Sequence, residues 1–337
     1  MSAPIVYSHD DPGAPVFLTG AAGLREILLG CLVNGYGDKP AAGWSVVYDD
    51  WVNSGNLSIT NAAQSGVLGL WHPLVGYASY GPVLYVAEAM QSATQPINGR
   101  SRGVEVSSTA ALSFNSSGYQ HSAYANSSDG MEWVIVATDN TAIVLMSRGS
   151  DGYLHGNPQP FFAVSRDRPD MLVIGAVNHY AGLGPASAPV LGNFYVLGGS
   201  TSYSGYSNHW GSTVRCSMLR NNNGSLIDAE RYALIAPMLG LNNPAELVYE
   251  LELRPWRLYT RPGGGAGGAD NADQTGLIPG LYGFADMAFY GDADDFARFN
   301  PGVDAFRTPA TVINKNCLYG VVGSGTPVFI SLAAEDW

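Results

Sequence analysis

The chain is punctuated throughout, and that punctuation limits what it can fold into. Short runs such as "NLSIT", "VLGLW", "PVLYVAEAM", "MEWVIVAT", "TAIVLMSR", "DMLVIGAV", "NFYVLGG", "CLYGVV" and "TPVFISL" are rich in β-branched and aromatic residues, and each is closed off by Gly, Pro or Asn. "WSVVYDDW", "STVRCSMLR", "SLIDAERYALIA" and "LVYELELRPWRLY" extend the series. The 42 Gly and 20 Pro supply the turns that such a series needs. Two breakers read as hairpin turns, Asp139-Asn140 and Asn222-Asn223-Gly224. Strands at this spacing predict a mainly-β fold: an antiparallel β-sandwich or barrel-like body with one short N-terminal amphipathic helix and long loops. No segment recurs at a fixed period, so a solenoid or propeller is not indicated.

The single helix lies within residues 20–34. Leu24, Ile27, Leu28, Cys31 and Leu32 recur at helical spacing and form one apolar face. Thr19 is placed to cap its start, and Asn34-Gly35 reads as a left-handed stop. The loop "NGYGDKPAAGW" (34–44) follows, with Pro40 preventing a restart. Gly-rich loops can cradle phosphates, but they do so at a helix N-terminus. This one follows a C-terminus, where the dipole is negative, and Lys39 leads into Pro40 rather than Ser or Thr.

Two modules are expected: an N-terminal β-rich one over 1–95 carrying the helix, and a larger β-rich body over 96–337. The polar stretch "MQSATQPINGRSRG" (90–103) divides them. The segment "RPGGGAGGADNADQTG" (261–276) is low in complexity and is expected to be a mobile Gly-rich loop.

Charge narrows the partners. Asp and Glu outnumber Lys and Arg by 28 to 16, a formal net charge of −12, with no basic cluster to hold a phosphate backbone. Nucleic acid is therefore not expected as a partner. The longest near-apolar run, "ILLGCLV", is too short to cross a bilayer, and the N-terminus lacks a signal-peptide pattern. The three cysteines, Cys31, Cys216 and Cys317, are widely spaced and fit a reducing cytoplasm.

Candidate chemistry is sparse. Gly99-Arg100-Ser101-Arg102-Gly103 matches G-x-S-x-G, but neither a strand before it nor a helix after it completes a nucleophile elbow. The six histidines form no i, i+4 pair, and the turn His9-Asp10-Asp11 lacks a distant fourth ligand. Asp286, Asp292, Asp294, Asp295 and Asp304 form an acidic region with only part of a calcium-loop pattern, leaving calcium or a solvated face open. The expectation is no enzyme, no cofactor and no metal site. The loop "GSTSYSGYSNHWGS" (199–212) has the Tyr/Ser/Gly mixture of adaptable binding surfaces, so Tyr203, Tyr206 and Trp210 are candidate interaction residues.

The run "VYSHDDPGAPVFLTGAAGLREILLGCLVNGYGDKPAAGW" (6–44) resembles a family of tailed-bacteriophage virion proteins. Members have an opening strand, a D-x-x-A-P turn, a short apolar helix and an "NGYG-x-KPAAGW" loop before a β-rich body. "PFFAVSRDRPDMLVIG" and "TGLIPGLYG" echo the family more weakly. The resemblance implies a virion structural subunit of the tail tip or baseplate, assembled in the host bacterial cytoplasm. It implies other virion proteins as partners and self-association into a ring or trimer, with no catalytic motif. On this view Lys39 and Trp44 stand at an interface or a core edge. A receptor-binding baseplate or fibre protein, contacting a host surface receptor, and a capsid decoration protein are the alternatives.

Overall fold

A computed structural model of the chain describes residues 2–16, 20–71, 83–87, 112–113, 133–146, 170–176, 194–198, 214–218, 231–236, 253–261, 273–284, 317–322 and 326–337. The fold is mainly β, with strands in two antiparallel sheets. The smaller sheet has five strands in chain order: β2 (Ser45–Asp50), β3 (Asn56–Thr60), β4 (Val67–Trp71), β5 (Val83–Ala87) and β6 (Leu112–Ser113). The larger has eleven. It opens with β1 (Ile5–Ser8), then β7 (Trp133–Ala137), β8 (Thr141–Met146), β9 (Asp170–Ala176) and β10 (Phe194–Gly198). It continues through β11 (Val214–Met218), β12 (Arg231–Ala236), β13 (Leu253–Arg261) and β14 (Asp273–Phe284). The order then inverts, with β16 (Thr326–Ser331) inside and β15 (Cys317–Val322) at the far edge.

The strand period of two builds the core. Tyr7 pairs with Ile135, Ile135 with Val144, and Val144 with Leu172, so one cross-strand row runs over four strands. Leu57 opposite Leu70, and Ile59 opposite Leu68, form the matching rows of the smaller sheet. All of them join one buried cluster with Leu24, Ile27, Leu28 and Leu32 of the helix. The two sheets and the helix thus share one core, as layered architectures require. Val134, Val136, Ile143 and Val173 on the other face of the larger sheet are buried as well. That explains why "WVIVA" and "TAIVLM" read as continuous apolar runs rather than alternating ones.

The expected helix is present, but it changes form. α1 (Gly20–Leu28) passes into a π-helical turn, Leu29–Asn34. Gly35 ends it at φ 75° and ψ 169°: the positive φ expected of a glycine stop at Asn34-Gly35 is present, but ψ lies outside the left-handed helical region. The reason lies in the carbonyls at the helix end. Backbone N–H groups of Ala42 and Trp44 donate to Cys31 O and Leu32 O, both at 3.0 Å, and so do the work of a C-cap motif. Thr19 lies outside the described residues.

The hairpin at Asp139-Asn140 joins β7 to β8 as expected, with Thr138 N–H donating to Thr141 O at 2.9 Å. Neither central residue has a positive φ. Instead the Thr138 hydroxyl accepts the N–H groups of Asn140 (3.3 Å) and Thr141 (3.2 Å), which stabilises the tight turn locally. The turn at 222–224 and the boundary near residue 95 lie outside the described residues, though β1 pairs across that boundary with β7.

Both ends of the expected Gly-rich loop 261–276 are strand: Arg261 closes β13, and Asp273–Gly276 open β14. Residues 262–272 lie outside the described residues. Gly276, Pro279 and Gly280 mark a break in the sequence, yet β14 runs through all three. Register shifts against β13 between Pro255 and Arg257, and between Leu258 and Tyr259, absorb the irregularity. At Gly280 the φ is +70°, and the Trp337 ring fills the space a Cβ would need. Trp337 is held there by donating its indole N–H to Ser331 O at 2.8 Å. Beside it Asp336 accepts the hydroxyls of Tyr282 (2.5 Å) and Ser331.

Two substitutions test this packing in urea denaturation. Leu28 is wholly buried, and Leu28→Asp should lower stability by about 3–5 kcal/mol. Gly280→Ala combines a positive φ with the Trp337 contact and should cost about 1–3 kcal/mol. An unchanged midpoint in either variant would contradict the packing described.

Candidate interaction surface: two sheet edges

Edge strands carry unpaired N–H and C=O groups that invite another strand, so how a chain treats its edges bears on what it assembles with. β1 is one edge of the larger sheet. His9 N–H donates to Trp133 O at 3.1 Å, which sets the inward residues of this strand and leaves Val6 and Ser8 facing outward. Both are capped by side chains or by a turn. Lys39 Nζ donates to Val6 O at 2.8 Å. The Asp11 carboxylate accepts Ser8 N–H at 2.8 Å, and Asp11 N–H donates back to Ser8 O at 3.0 Å. Asp11 also accepts the Tyr36 hydroxyl at 2.8 Å and lies 3.4 Å from Lys39 Nζ.

The loop after the helix is shaped to reach this edge. Tyr36 and Lys39 exchange backbone hydrogen bonds at 3.0 and 2.8 Å around Gly37-Asp38. Gly37 has φ +50°, and Pro12 O sits where its Cβ would be, so the two turns meet backbone to backbone. Tyr7 donates to Pro40 O at 2.8 Å. Tyr36 packs 5.9 Å from the Tyr7 ring and meets Trp133 edge-on at 6.3 Å.

Trp44 is only 3% exposed. Its indole donates to Thr138 O at 2.9 Å and packs edge-on against Phe194 at 6.1 Å. Its place is the core edge. Lys39 keeps 36% of its side chain exposed while its ammonium is spent on β1 and Asp11. Tyr203, Tyr206, Trp210, Ser101 and the aspartates of 286–304 lie outside the described residues. His9 Nδ1 lies 3.2 Å from Trp133 O and 3.4 Å from Trp133 N, with Asp10 3.3 Å from Nε2. Among the described residues no cluster of His, Cys, Asp or Glu is arranged to hold a metal ion, and no helix is long and apolar enough to cross a membrane. Cys31 is wholly buried in the core, and that burial, with the Asp11 charge second, pushes its thiol far above its usual range.

The outer strand of the smaller sheet is treated differently. β2 exposes Val46 (43%) and Val47 (42%), and Val52 of the following turn α2 (Trp51–Ser54) is 87% exposed. Among the described residues no side chain bonds the backbone of Val46, Val47 or Tyr48. The sequence flagged Asp11 only within the His9-Asp10-Asp11 stretch weighed for a metal, and it did not flag these valines. Asp11 reads simply as a turn residue, and exposure on "SVVYDD" depends on where β2 falls in the sheet order.

Compared with known protein families and with curated proteins, the chain matches none.

Asp11→Ala would remove three partners at once and should cost about 2–3 kcal/mol, with faster hydrogen exchange at the Ser8 amide. Alkaline pH supplies a second check. Burial above all raises the phenol pKa values of Tyr7 and Tyr36 above the ordinary 10.0, with the Asp11 hydrogen bond adding to the effect at Tyr36. As pH rises the unfolded chain sheds these protons first. The stability they contribute is full below pH 10.0 and lost progressively above it. Tyr36→Phe should flatten that loss in denaturation measured across this range.

Proposed function

We propose that the chain is a structural subunit of a bacteriophage virion, in the tail tip or baseplate, acting through protein–protein assembly. The observation that carries this reading is the behaviour of the stretch 6–44 that resembles tailed-phage virion proteins. Its marked residues are not scattered. Tyr7 bonds Pro40, Lys39 bonds Val6, Tyr36 bonds Asp11, and Trp44 ties the helix end to the larger sheet. The string is therefore one structural unit, which suits a signature of scaffold and not of catalysis. Among the described residues, a mainly-β body whose β1 edge is capped and whose β2 edge is not fits a subunit that adds to neighbours in a defined direction. Self-association into a ring or trimer belongs to the same reading.

Immunogold labelling of tailed virions that encode the chain tests it. Gold at the tail tip or baseplate is the expected result. Label on fibre ends would transfer the chain to receptor binding, label on heads would make it a decoration protein, and unlabelled particles would overturn a virion role.

A further inference from the structure

The open edge has chemistry of its own. Three carboxylates cluster beside it: Glu26, Asp49 and Asp50. One guanidinium serves two of them, with Arg25 at 2.6 Å from Glu26 and 2.5 Å from Asp49 while lying over the Trp51 ring at 5.6 Å. Asp50 receives the neutral amide of Asn53 at 2.6 Å. Among the described residues the patch thus keeps an excess of negative charge next to exposed Val46, Val47 and Val52.

We propose that the outer edge of β2 is a docking site for an extended segment of another polypeptide, apolar at alternate positions and carrying Lys or Arg between them. Main-chain pairing with a free edge supplies affinity in this mode of recognition, and side chains at alternate positions supply choice of partner. The apolar half of the match is Val46, Val47 and Val52. The charged half is Asp49 and Asp50, for which a cationic strand is the complement. A second copy of the chain fits less well. Antiparallel pairing of β2 with its own copy would set Asp49 and Asp50 opposite the Ser45–Val46 end, where β2 carries no cation to answer them, in a chain whose net charge is −12 and whose adjoining Arg25 is already engaged. The extra residue at Val47 bends the edge, since Val46 pairs with Ile59 and Tyr48 with Ser58. That bend disfavours indiscriminate stacking while leaving room for a short segment.

Hydrogen exchange on the full chain tests the proposal, with two acetylated and amidated heptapeptide probes, one alternating Lys and Val and the other Glu and Val. The Lys–Val probe should protect the amides of 45–50, and the Glu–Val probe should not. Val47→Lys should weaken the Lys–Val probe about tenfold or more, and so should Asp50→Asn, which leaves the apolar residues in place. Lack of protection at 45–50, equal protection by both probes, or an effect indifferent to both substitutions would overturn the proposal. So would protection at 45–50 that grows with protein concentration alone, because the occupant would then be a second copy. The proposal does not rest on the virion reading, and particles without gold would leave it standing.

Discussion

One tryptophan, Trp44, joins the helix to both sheets. The backbone N–H of Trp44 caps Leu32 O at the helix end, its indole N–H reaches Thr138 O at the hairpin of the larger sheet, and its ring packs on Phe194 of β10. The next residue begins β2. Helix, smaller sheet and larger sheet therefore meet at a single buried side chain whose polar atom is satisfied. A buried indole N–H without a partner would cost roughly 1–3 kcal/mol, a cost that the bond to Thr138 O removes. Nearby, Ala62 N–H and Asn61 Nδ2 donate to Asp139 O and Asn140 O at 2.9 and 3.2 Å, fastening the same seam from the loop after β3.

The loop between helix and β2 has a second use, which is to close a sheet edge. Lys39 and Asp11 occupy outward backbone groups of β1 that another strand would otherwise take. An isolated exposed ion pair contributes little to stability. Here the two side chains matter for the backbone groups they cover. With that edge capped, the acidic, valine-bearing edge of β2 is the contrasting feature among the described residues.

The order of elements was legible because it depends on local rules. Breakers bounded strands such as "NLSIT" and "VLGLW", and the apolar spacing of Leu24, Ile27, Leu28, Cys31 and Leu32 marked a helix whose face is buried as expected. β14 was hidden for the same reason. Gly276, Pro279 and Gly280 are breakers by local rules, and their tolerance depends on register shifts in β13 and on a tryptophan more than fifty residues away. The exit from the helix likewise looked like a left-handed stop, because nothing local shows that Ala42 and Trp44 return to its carbonyls.

Composition, period and turn chemistry thus carried the mainly-β class, the helix and its buried face, since each depends on residues near one another in the chain. Which edge is capped and which is open followed a different logic. Lys39 reads as a candidate interaction residue and "SVVYDD" as one more strand until the sheet order places β1 beside the loop and β2 at a boundary. Edges belong to sheets and not to strands, and a sheet exists only once distant segments have paired.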